Sequence, residues 1–186
     1  MKLKFVIPLL LLFSLDISAQ VKVGGINIPL TVSAHETTLV LNGAGVREKF
    51  YKDLFVLALY LKEKSNEALK IMHANEPMAI KMHILSGLIT SDRMEETTDE
   101  GFVRSTEGHT EPIQAKINEF KAVFKQKIKK GDVYDFVYHP DKGTHVYKNG
   151  ILAVIIPGLD FKQALFGIWL FKKPKDSDIQ DKLMGK

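Results

Sequence analysis

The chain has 186 residues, no cysteine, 45% hydrophobic residues and a formal net charge of +4. That length supports one domain with a sizeable core rather than two. The absence of cysteine excludes disulfides, thiol catalysis and thiolate-ligated zinc, and the mild positive balance lacks the concentrated basic face that reading nucleic acid requires.

The first twenty residues, MKLKFVIPLLLLFSLDISAQ, have a basic start at Lys2 and Lys4, an apolar core from Phe5 to Phe13 and a small-residue exit at Ser18-Ala19. This is the layout of a secretory signal peptide, with cleavage expected after Ala19. The apolar run is too short to span a bilayer. Asp16 and Ile17 make the cleavage site imperfect, so a retained membrane anchor is the alternative. Residues 1–19 are therefore read as the signal peptide and 20–186 as the mature domain. Loss of Lys2, Lys4 and Asp16 leaves 24 basic and 21 acidic groups, a net charge of +3. Export without cysteine suits a bacterial periplasm, and no stable membrane span is expected after cleavage.

VKVGGINIP (21–29) alternates around Gly24-Gly25 and predicts a small hairpin. TTLVLNGAG (37–45) is a β-branched strand that ends in glycines. KDLFVLALYLK (52–62) carries eight apolar residues in a row, which suits a buried strand or a buried helix. Its aromatic and branched content favours strand. SNEALKIMHA (65–74) predicts a helix capped by Ser65, and PMAIKMHIL (77–85) alternates as a strand. TSDRMEETTDEGFVRS (90–105) opens with cap residues and early acids and predicts a helix. EPIQAKINEFKAVFKQKI (111–128) sets Ile113, Ile117, Phe120 and Phe124 at helical spacing with Pro112 in the first turn. Three strands follow at 132–140, 144–150 and 151–158, joined by Asp-Lys-Gly and Asn-Gly turns. Asp160 is expected to cap a helix over FKQALFGIWLF, and a last helix begins near Asp176 and ends at Met184-Gly185. This order predicts an α+β fold, a mainly antiparallel sheet with helices on one face and room for a cleft between the layers.

Few residues stand out as chemistry. The two basic clusters, KAVFKQKIKK (121–130) and FKKPK (171–175), fit solvated helix faces, so no nucleic-acid partner is expected. GAGVR lacks the third glycine, the following helix and the later acid of a dinucleotide site. His139 and His145 flank a turn around Asp141 and fit surface turn positions, and zinc needs three or four converging ligands, so no metal and no cofactor are expected. No nucleophile elbow occurs around Ser86-Gly87. Glu95-Glu96 and Asp99-Glu100 fit a solvated helix face better than an acid/base pair. Arg47 stays open between a surface ion pair with Glu48 or Asp53, worth about 0–1 kcal/mol, and a bidentate clamp for a carboxylate or phenolate oxygen.

NGAGVREKFYKDLFVLALYLKEKS and the tail ALFGIWLFKKPKDSDIQDKLMG resemble corresponding segments of the chalcone isomerase family, and the likeness extends over roughly residues 23–185. It is closest to the exported bacterial chalcone isomerase-like proteins. The resemblance implies an open-faced β-sandwich: a large antiparallel sheet backed by helices, with a cleft between. Plant chalcone isomerases close a flavanone ring using an arginine with assisting threonine and tyrosine hydroxyls, and related members bind fatty acids by the same arginine. Here Arg47 matches that arginine. The hydroxyl positions fall on Phe55 and Ile168, and the assisting tyrosine near Arg93 or Met94.

With those hydroxyls gone, the expected function is non-catalytic: a hydrophobic anion, most simply a fatty acid, is held by Arg47 in a cleft lined by Phe55, Leu57, Tyr60 and Ile168, with no catalytic residue. One alternative is an intramolecular lyase or isomerase of an unsaturated carbonyl compound, with Tyr51 or Tyr60 as proton donor. Another is a scaffold whose cleft is filled by its own side chains.

Overall fold

The protein is described here by a computed structural model that covers residues 19–49, 51–171 and 177–186. All but the last residue of the expected signal peptide, most of the FKKPK cluster and the expected helix start at Asp176 lie outside the described residues.

Strands β1 (Gln20–Val23) and β2 (Ile26–Pro29) form the predicted hairpin. The main sheet has seven strands: β3 (Thr31–Ala34), β4 (Thr37–Lys49), β5 (Lys52–Leu61), β6 (Met78–Ile84), β7 (Val133–His139), β8 (Gly143–Lys148) and β9 (Ile151–Ile156). They lie side by side in chain order, each antiparallel to the next. Each connection between neighbours is a hairpin or carries helices over one face, which antiparallel pairing permits. Five helices, α1 (Ala68–His73), α2 (Ser91–Ser105), α3 (Gln114–Ala122), α4 (Leu159–Leu170) and α5 (Ser177–Leu183), pack on that face. The expected α+β architecture is the observed one.

The two sheet faces follow from the period of two along each strand. On the helix side, Leu57, Leu59 and Leu61 of β5 meet Met78, Ile80, Met82 and Ile84 of β6 and Tyr134, Phe136 and Tyr138 of β7. On the other side, Val56, Ala58, Tyr60 and Ala79 lie under Ile28 of the small hairpin and Leu39 and Leu41 of β4. Strand β5 thus shows no alternation because both its faces are covered. The helix layer meets the sheet through rings: Phe120 touches Phe102, Phe124, Phe136 and Phe161, and Trp169 stacks on Phe136.

The local signals succeed where the cue and the structure are close together. Thr90 caps α2 by accepting from the Arg93 amide at 3.3 Å. Asn149 and Gly150 form the β8–β9 turn, both with positive φ, as a two-residue hairpin of this type requires. Three expectations need correction. Ser65 does not cap α1, which begins at Ala68; the Ser65 hydroxyl accepts instead from Glu67, and its backbone is bound by Asn42. The helix over 111–128 is α only from Gln114 to Ala122, with 3₁₀ turns on either side; Gln126 then turns to extended backbone. Gly158, not Asp160, caps α4; Asp160 lies in the first turn and pairs with Lys116 at 2.7 Å.

Candidate functional site

Arg47 stands near the end of β4, directly opposite Phe55 on β5. Cross-strand partners share a face, and Phe55 borders the helix-side core. Arg47 therefore projects on the side of the helices. It is half-buried, and Nη1 donates to the Glu48 carbonyl. Two residues earlier Gly45 faces Leu57, which is completely buried. Along the same face Leu59 and Leu61 continue the apolar row.

The glycines of NGAGVR serve α5, not a turn. A Cβ on Gly43 would lie 2.2 Å from the Lys182 carbonyl oxygen, and one on Gly45 would lie 2.5 Å from Cδ of the Lys182 side chain. Only glycine lets the last helix settle on β4 at this distance. The stem of Lys182 crosses Gly45, and its ammonium donates to the Val46 carbonyl at 3.3 Å. A second cation thus stands one strand position from Arg47. Sequence reasoning missed it, because only the tertiary approach of α5 brings residue 182 beside residue 46. Asn42 fixes this end of α5: its amide nitrogen donates to the carbonyls of Leu183 and Ser65, and its oxygen accepts from the Ser65 amide.

Of the residues expected to line the cleft, Arg47, Phe55 and Leu57 share one sheet face. Ile168 belongs to the helix layer, at the edge of the same core. It lies against Gly101 of α2, and its carbonyl accepts from Arg104 at 3.0 Å. Tyr60 is the correction. As an even-numbered residue of β5 it points to the opposite face, where its hydroxyl donates to the Pro29 carbonyl at 3.0 Å. Burial, reinforced by Asp135, pushes its phenol well above the usual range.

The hydroxyl inventory around Arg47 is correspondingly thin. Tyr51 is fully exposed at the tip of the β4–β5 hairpin, with a positive φ of 59°. Tyr134 is on the helix side and fully buried, and its hydroxyl finds no protein partner. It stands in the row Gly45, Leu57, Met82, Tyr134, three strands from β4, or about 14 Å at the usual strand spacing.

Three of the six histidines meet on the far face. His35 packs edge-on against His145 and His139, with ring centroids 4.6 and 5.5 Å away. His145 is buried, which corrects its reading as a surface turn residue. Burial first, then Lys142 and His139, lower the pKa of His35; burial and His35 lower that of His145. Among the described residues no group of three His, Cys, Asp or Glu side chains is arranged to hold a metal ion, and no helix is long and apolar enough to cross a membrane.

A family model described as chalcone isomerase-like matches residues 20–185. The fold is similar to the crystal structure of a fatty-acid binding protein of Arabidopsis thaliana, with a TM-score of 0.66 at 13% identity over 86% of this chain and 92% of that one. No curated protein matches the sequence.

Proposed function

Since the chain belongs to the chalcone isomerase-like family, we propose that it is a non-catalytic member that binds a hydrophobic carboxylate, most simply a fatty acid, between its sheet and its helices. The observation that carries this reading is the register that sets Arg47 beside Phe55 at one end of the buried row Leu57, Leu59, Leu61, with the Lys182 ammonium at Val46. A guanidinium takes a carboxylate in a bidentate fork, and Lys182 adds a second positive charge. Burying about ten methylenes contributes roughly 8 kcal/mol, against which stand the costs of association. The fatty-acid binding of the similar Arabidopsis thaliana protein supports the same class of ligand.

Ring closure or isomerisation needs a proton donor within reach of the reacting oxygen, and such a donor contributes about 10²- to 10⁴-fold. Tyr60 is on the opposite side of the sheet and Tyr51 is in solvent, so the non-catalytic reading is preferred to the lyase. Its test is calorimetric. Palmitate should bind the wild type and lose about 10- to 100-fold in affinity in Arg47→Ala, the worth of a charge-assisted hydrogen bond. Arg47→Lys should fall between, and hexadecanol should be insensitive to the substitution. Equal palmitate affinity in wild type and Arg47→Ala would overturn the proposal.

A further inference from the structure

The opposite end of β5 opens into a cavity of about 780 Å³, the size of a small-molecule pocket. Its floor is Leu61, Ile71, Met78 and Met184, each 6% exposed or less. All four belong to the same core as Leu57 and Leu59. The cavity therefore meets the apolar row that begins at Phe55. Two methionines in the floor give it side chains that re-pack readily. The rim is polar, with Lys62, Glu63, Lys64 and Glu76 around it and Lys70 paired with Glu67 at 3.3 Å.

Its walls differ in firmness. One is fixed: Asn42 ties β4 to Ser65 and to Leu183. The other is α1, which has six residues and no side-chain bond at its N-cap. Its start is held only through the Glu67 amide on the Ser65 hydroxyl, while at its far end the Lys162 ammonium donates to the carbonyls of Ile71, Met72 and Ala74 at 3.0, 2.8 and 2.7 Å. Leu57 and Leu59 are closed over by the helix layer; α1 borders the row at its Leu61 end, where Ile71 lines the cavity with it, and is the wall that can yield there.

We propose that a long acyl chain held at Arg47 runs along Phe55, Leu57, Leu59 and Leu61 and ends in this cavity, so that the cavity between Asn42 and α1 sets the chain length the protein accepts. This rests on Arg47 as the carboxylate site. From Phe55 to Leu61 the strand covers about 20 Å, which matches an extended chain of about sixteen carbons. The ligand class is thereby narrowed to long-chain acids. Shorter chains would leave the cavity unfilled and lose apolar burial with each methylene.

The test is isothermal titration of the purified chain with saturated fatty acids from octanoate to stearate, using wild type, Ala74→Trp and Arg47→Ala. Ala74 lines the cavity and is half-buried, so tryptophan there would occupy the space. Wild-type affinity should rise with length to palmitate. Ala74→Trp should lose about tenfold for palmitate and stearate and stay within about twofold for decanoate, the effect of excluding two or so methylenes. Arg47→Ala should lose the same factor at every length. Met184→Trp fills the cavity from the C-terminal wall and serves if Ala74→Trp fails to fold, as judged by circular dichroism. If both fillers fold and show the wild-type length profile while Arg47→Ala is weakened, the cavity plays no part and the carboxylate site stands. If Arg47→Ala matches wild type at every length, the carboxylate site falls, and the end-to-end path with it.

Discussion

Lys162 is the residue least expected where it is found. It sits in the apolar helix LDFKQALFGIWL with no solvent exposure, its ammonium on three carbonyls and over the faces of Tyr138 and Phe166. The sequence shows a lysine inside an apolar helix, but not the carbonyls 88 to 91 positions earlier that receive it. Burial lowers its pKa from 10.5 to about 7. The unfolded chain then holds more protons than the native chain between about pH 7 and 10.5, so this residue makes stability rise with pH across that window. Below pH 7 both states are protonated and the penalty is present in full. Denaturant unfolding of wild type should show a slope of up to about 1.4 kcal/mol per pH unit more than Lys162→Met in that window. Parallel pH profiles would mean that Lys162 titrates normally.

At the level of elements, the approach of α5 to β4 decides what the GAG glycines are for. From the sequence they end a strand at Gly45; in the fold they lie within a thirteen-residue strand that runs on to Lys49 and make room for a backbone from the other end of the chain. Gly43 faces the unyielding Lys182 carbonyl oxygen, Gly45 a flexible lysine stem. Gly43→Ala should therefore cost about 2 kcal/mol and lower Tm by about 6 °C, and Gly45→Ala distinctly less. A Gly43→Ala protein with the wild-type Tm would show that α5 does not approach so closely. Strands β5 to β9 were legible because composition and turn residues are local. Which side Tyr60 takes was also within reach by parity, since Phe55 and Leu57 are odd-numbered and Tyr60 is even on one strand. The placement of Lys182 and the clasp of Asn42 on Leu183, 141 positions apart, depend on long-range packing that no local pattern encodes.

In the molecule as a whole, the two faces of the sheet do different work. The outer face, under the small hairpin, carries Tyr60 and the packed histidines. The inner face carries one apolar row with cations at one end and a cavity at the other. The proposed retention of an acid by the guanidinium of Arg47 on that row is read out by native mass spectrometry of protein isolated from its host, with no lipid added. The wild type should carry one long-chain fatty acid per chain, and Arg47→Ala prepared in parallel should be found without it. Wild-type protein at its bare polypeptide mass, or the same adduct in equal amount on both proteins, would contradict a carboxylate site at Arg47.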